Sequence, residues 1–180
     1  MKKLYAILML CVGFAIQAGC TKFSDIFDEN NENAISPVEV TDTYGQSVDI
    51  VTRYDHKELL LSLMEEMGYS PSKSDFAFVV NDGSKLKDVT GKDGAILHWP
   101  EIDFDLYTLV VGYFYSPYPY SVSNNQRMVV EGTRNKLYVE VLNRHGMPSI
   151  ADAGPSISYS CRLYPKLPSR HVKVIRLKNY

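Results

Sequence analysis

Four histidines, one cysteine in the last third of the chain and a run of carboxylates are the side chains equipped for acid–base, nucleophilic or metal chemistry. His56, His98, His145 and His171 lie far apart, with neither His-x-x-x-His nor Cys-x-x-Cys spacing, so the pattern points to no metal centre. Cys161 sits in Ile157-Ser158-Tyr159-Ser160-Cys161-Arg162-Leu163, on the same alternating face as Ile157, Tyr159 and Leu163. That placement reads as a buried structural thiol, and no histidine stands in a recognisable partner motif. Glu101, Asp103 and Asp105 alternate before a hydrophobic run and would share one strand face. They suit either a calcium site or acid/base pair, or solvated ends and turn hydrogen bonds; the Asp-x-Asp-x-Asp-Gly run of a calcium loop is missing. Gly-x-Ser-x-Gly, Walker and Gly-x-Gly-x-x-Gly patterns are missing too, so the expectation is a non-enzyme with no cofactor and no metal.

Tyrosine is the residue type that stands out for binding. Of the 13 tyrosines in 180 residues, Tyr113 and Tyr115 share one strand face, and Tyr118 and Tyr120 ride on Pro117 and Pro119 in a stiff loop. Rigid tyrosines lose little entropy on association and offer both a ring face and a hydroxyl. These four are the expected contacts for a protein partner or a glycan, with half-buried sheet positions the alternative for Tyr113 and Tyr115. A formal net charge of -2 supplies no basic field for nucleic acid.

These residues must be positioned by a strand. Tyr107 to Tyr115 are nearly all β-branched, aromatic or aliphatic, a composition suited to a pleated, buried surface. Pro100 precedes the run, and Pro117 and Pro119 close it, excluding a long helix on both sides. Around it we expect one or two strands over 38–54, a turn at Tyr44–Ser47, and a short strand Phe76–Val80 closed by Asn81-Asp82-Gly83. Lys85 to Gly94 reads as a solvated loop. Met128–Val130 and Lys136–Val141 form a hairpin, with Leu137, Val139 and Val141 inward and Tyr138 and Glu140 outward. Strands Ser156–Tyr164 and His171–Leu177 close the chain. One helix is predicted: Asp55 and Glu58 make a capping box, Leu60, Leu63, Met64 and Met67 form an apolar stripe, and Gly68 stops it. The fold class is therefore α+β and β-rich, an antiparallel sheet or sandwich of about seven strands with one packed helix.

The N-terminus carries an address. Met1-Lys2-Lys3 is followed by an apolar stretch from Leu4 to Ile16, shorter than the roughly 20 residues a bilayer span needs. It ends in Gln17-Ala18-Gly19-Cys20, which resembles the lipobox of bacterial lipoproteins, with Gln17 where that pattern prefers leucine. The resemblance implies a signal peptide over 1–19 and Cys20 as the lipid attachment residue, anchoring the protein by buried CH2 groups. Losing Lys2 and Lys3 takes the basic residues from 19 to 17 against 21 acidic, a net -4. Residues 20–37, with Asp25, Asp28, Glu29 and Glu32, read as an acidic flexible tether, and 38–180 as a single β-rich globular domain. Acidic residues shortly after a lipid-bearing cysteine resemble the signals that send some lipoproteins to the outer face of the outer membrane.

A second resemblance spans Phe76 to Leu177. Ile102-Asp103-Phe104, Leu109-Val110-Val111-Gly112, Leu137-Tyr138-Val139-Glu140-Val141, Tyr164-Pro165 and Val172-Lys173-Val174-Ile175 follow in an order that is similar to the domain family named after the PrcB subunit of a bacterial surface protease complex. The family's Gly-Tyr step after the central strand is replaced here by Ser116-Pro117-Tyr118-Pro119-Tyr120. This resemblance implies a non-catalytic subunit that binds or steadies a partner protein. The expectation is thus an envelope lipoprotein with a protein partner; the alternative is a surface glycan-binding or adhesin module using the Pro-Tyr loop.

Overall fold

The computed structural model describes residues 26–28, 30–38, 40–41, 47–48, 57–117, 121–142, 155–167 and 171–178. Its elements are β1 (Ala34–Ile35), β2 (Val40–Thr41), β3 (Ser47–Val48), α1 (Lys57–Glu66), β4 (Phe76–Val80), β5 (Val89–Thr90), β6 (Ile96–Leu97), β7 (Tyr107–Ser116), β8 (Ser121–Glu131), β9 (Arg134–Leu142), β10 (Ser156–Pro165) and β11 (His171–Lys178). Seven strands form one sheet in the order β1-β8-β9-β11-β4-β7-β10. The protein is β-rich α+β, as the composition of 107–115 and the spacing of the shorter strands imply.

The expected central strand pairs along its length. β7 meets β10 from Tyr107↔Pro165 to Ser116↔Ser156 and meets β4 from Leu109↔Val80 to Tyr113↔Phe76. Leu109, Val111, Tyr113 and Phe114 are 0–2 % exposed. All pairs in the large sheet are antiparallel except β9–β11, which is parallel from Asn135↔Val172 to Val141↔Lys178. An antiparallel sheet was the expectation for this pair as well. The last strand inserts between β9 and β4 instead of extending an edge, and that position fixes its direction. The sheet curls, so that β10 and β8, which are not neighbours in it, touch where Ser160 Oγ and Gln126 Oε1 hydrogen-bond at 3.3 Å.

Curling splits the core in three. Ala77, Val79, Val110, Phe114, Met128, Leu137, Val139, Tyr164 and Leu167 fill the inner face. On the outer face of β4, β7 and β10, the helix residues Leu60, Leu63 and Met64 cover Phe78, Val80, Leu109, Val111, Cys161 and Leu163. On the outer face of β8 and β9, Ile26 covers Val129 and Tyr138. Tyr138 and Glu140, expected outward, do lie on that outer face, but they are only 4 % and 7 % exposed. Part of the segment read as a tether is also laid on the sheet. Ile26 is 6 % exposed, and Ala34 and Ile35 pair with Val129 and Met128. Three apolar positions within a polar stretch carry too little periodicity to reveal this.

Helix α1 ends in a Schellman motif. Gly68 adopts φ +78, Tyr69 N–H donates to Met64 O at 2.8 Å, and Gly68 N–H donates to Glu65 O at 3.0 Å. Leu59, Leu60, Leu63 and Met64 are buried, while Met67 is only partly covered. Asp55 of the expected capping box lies outside the described residues. The segment read as a solvated loop contains β5, which pairs with β6 through Val89↔Leu97 and Thr90↔Ile96. Two β-branched residues were enough to make a short hairpin there.

Candidate functional site

The register of β4, β7 and β10 puts Phe76, Tyr113 and Tyr159 opposite one another in a row across the outer face. Side chains two apart along a strand share a face, so Tyr115 and Ile157 form the next row toward the strand ends. Tyr69, delivered by the turn at Gly68, adds a ring from above. Tyr69 stacks on Phe78 at 4.5 Å and on Phe76 at 5.2 Å, and Phe76 stacks on Tyr113 at 4.7 Å with the planes 8° apart. Tyr159 meets Tyr113 edge-on at 5.6 Å, and Lys57 Nζ lies 5.8 Å from the Tyr159 ring centre. Burial, and then the neighbouring Tyr113, push the Tyr159 hydroxyl above the usual tyrosine range.

The row is stiff and only partly covered. Tyr113 is 1 % exposed and its hydroxyl donates to Ser72 O at 3.0 Å. Tyr113, expected as a contact residue, is therefore a core residue, because its ring fills the gap between Phe76 and Tyr159. Tyr115 is half-buried, and its backbone is clamped where β4 has already ended. Asp75 Oδ1 accepts from Tyr115 N–H at 3.0 Å, and Arg176 Nη2 donates to Tyr115 O at 2.5 Å. Arg176 also grips both Asp75 carboxylate oxygens through Nε and Nη2 at 2.5 Å. An ion pair thus stands where a strand partner would otherwise be. Tyr69 and Ile157 complete the patch at 38 % and 46 % exposure. Tyr118, Tyr120 and Cys20 lie outside the described residues.

Reading the sequence for function missed Tyr69, Phe76 and Tyr159. Phe76 and Tyr159 were legible as strand residues, but the register that aligns them was not. Tyr69 had no signal at all, since only the Schellman turn aims it at the sheet.

The other chemical candidates separate in space. Glu101, Asp103 and Asp105 do not alternate along a strand. Asp103 Oδ1 accepts from Asp105 N–H at 2.9 Å, and Asp103 O accepts from Tyr107 N–H at 3.0 Å, making a turn that launches β7. His98 pairs with Asp88 at 2.7 Å on the exposed β5–β6 hairpin. Cys161 is 0 % exposed, as its alternating position implied. His56 and His145 are outside the described residues. Among the described residues, no group of three or more His, Cys, Asp or Glu side chains is placed to hold a metal ion, and no helix is long and apolar enough to cross a membrane.

Set against known proteins, the chain matches no family model, no curated protein and no solved structure.

Proposed function

We propose that this chain is a non-catalytic envelope lipoprotein, anchored through Cys20, that binds or steadies a protein partner in the manner of the protease-complex subunit its segment order resembles. One observation carries the partner reading. Tyr69, Phe76, Tyr115, Tyr159 and Ile157 gather on one face, held rigidly and left partly open. Aromatic anchors held in fixed rotamers lose little freedom on association, which suits them to protein interfaces. A glycan platform needs a bare ring face for a sugar to stack on. Here the faces of Tyr69, Phe76 and Tyr113 are already stacked on one another. That favours a protein over a glycan on this surface. The non-catalytic reading is supported by Cys161 being sealed in the core and by the carboxylates near β7 acting as a turn.

The test is photo-crosslinking in living cells with a benzophenone amino acid at Tyr69 or Ile157. One discrete protein adduct at both positions, lost on Tyr159→Asp, is expected. Smears or no adduct at either position, with the protein folded and membrane-bound, would refute the partner reading. Cys20→Ser should move the chain from the membrane to the soluble fraction; unchanged fractionation would refute the anchor.

A further inference from the structure

The strands beside the aromatic row carry a different surface, with β11 bonded to β4 through His171↔Phe78. The parallel pair β9–β11 starts with Asn135↔Val172 and Lys136↔Lys173, so Lys136 and Lys173 point the same way, and Arg134 and His171 precede them on that face. Gly132 at φ +58 turns β8 into β9 and brings Thr133 beside them. Thr133, Arg134, Asn135, His171, Val172 and Lys173 line a cleft of about 370 Å³. Among the described residues, Glu131 is the carboxylate on the strand ends that meet here, and it is engaged by Lys136 at 2.6 Å, a contact that holds the Lys136 ammonium above its ordinary range. Among the described residues, Arg134 and Lys173 have no ion pair. Two uncompensated cations thus flank one cleft in a chain whose net charge is negative.

We infer that this cleft binds a phosphate group. A carboxylate would neutralise one of the two cations, whereas a phosphate carries nearly two charges and three acceptor oxygens for Arg134, Lys173 and the Thr133 hydroxyl. The volume is at the small end for ligand clefts and suits a phosphate with its nearest substituent. The group can come from a lipid headgroup or from a soluble phosphate, since both present the same oxygens. The cleft lies on β9 and β11, one strand over from the aromatic row, with His171 opposite Phe78 of β4; its test reads phosphate binding, which the partner reading does not require.

The experiment titrates inorganic phosphate into the full chain at constant ionic strength, following the His171 ring resonances. A saturable shift is expected, weakened about fivefold by Arg134→Ser or Lys173→Ser alone and about 25-fold by both. Glu131→Gln releases Lys136 toward the cleft and should tighten binding. No saturable shift, or an unchanged titration in the double variant with its unfolding midpoint retained, overturns the site. A second arm uses the Cys20→Ser full chain with phosphatidylglycerol vesicles. Retention that phosphate displaces and the double variant loses assigns a lipid headgroup. Saturable phosphate binding without retention assigns a soluble ligand. Retention indifferent to both cations counts against the site.

Discussion

Replacing Arg176 by Met removes the guanidinium but keeps a stem of similar reach. In the native fold Arg176 donates to Asp75 through Nε and Nη2 and to Tyr115 O through Nη2. The two side chains are 28 % and 19 % exposed, so the site is neither dry nor bathed in water. Without the guanidinium, the Asp75 carboxylate keeps only the Tyr115 N–H, and Tyr115 O loses its donor. Breaking a fully buried pair on one side costs about 3–5 kcal/mol, an exposed pair about 0–1. Partial exposure places Arg176→Met at about 2–3 kcal/mol, consistent with hydrogen bonds to charged groups worth about 1.5–3 kcal/mol. For a chain of this length that is a fall in melting temperature of about 5–10 °C.

Asp75→Asn separates charge from geometry, since its amide oxygen can still accept from Tyr115 N–H. It should cost less than Arg176→Met, and the double variant should cost clearly less than the sum of the two, leaving a coupling of about 1–2 kcal/mol. The assay is urea unfolding of the four proteins with a common slope. An Arg176→Met loss below about 0.5 kcal/mol, or costs that simply add, would show that the gap beside β4 closes without the ion pair. The role given to this pair in clamping Tyr115 would then be wrong.

Two further outcomes follow from the same sheet. A Cβ built on Gly112 would lie 2.5 Å from Phe114 Cζ and 2.8 Å from Ser160 Oγ, displacing the hydroxyl that reaches Gln126. Gly112→Ala should destabilise by about 1–3 kcal/mol despite alanine's better strand entropy, with partial rescue by Phe114→Leu; a stabilised alanine variant in thermal melts would refute the close packing. Burial raises the Tyr159 hydroxyl above its ordinary 10.0, so the neutral form is the one the fold favours, and its stabilisation is complete below pH 10 and is lost as pH rises through the folded value. Tyr159→Phe should therefore lose less stability than the parent between pH 9 and pH 11 in urea titrations, and equal losses would refute the assignment.

The parts of this fold that were legible are those a local pattern determines. Tyr107 to Ser116 is a strand because its residues suit no other environment, and the prolines fix its limits. Helix α1 follows from the stripe Leu60, Leu63, Met64 and the glycine beyond it. What stayed hidden depends on partners distant in sequence. Arg176 and Asp75 are 101 residues apart, and neither has a neighbour that announces the pair. Alternation put Tyr138 and Glu140 on the correct face, but that face is closed by Ile26, more than a hundred residues upstream. The carboxylates before β7 failed differently. Alternation assumes a strand, and Asp103 hydrogen-bonding to its own backbone neighbour selects a turn instead.

The two candidate surfaces have a common geometric origin. A ten-residue helix is about 15 Å long, whereas a ten-residue strand such as β7 extends about 33 Å. The first helix residue, Lys57, reaches Tyr159 on β10 and the turn after the helix sets Tyr69 on Phe76 and Phe78 of β4, so the helix crosses the three strands and leaves part of their length uncovered. Beside the aliphatic residues under the helix lie Phe76, Tyr113 and Tyr159, whose rings pack on one another, with Tyr115 half-buried in the next row. On the other half of the curl, Ile26 covers Val129 and Tyr138 but not the start of β9 and β11, where Arg134 and Lys173 face water. Each covering element stops short, and the exposed remainders are an aromatic row on β4, β7 and β10 and a basic cleft on the adjoining β9 and β11. The grounds for the two binding proposals are the partly open Tyr69, Tyr159 and Ile157 on the first remainder and, on the second, Arg134 and Lys173 with no ion pair among the described residues.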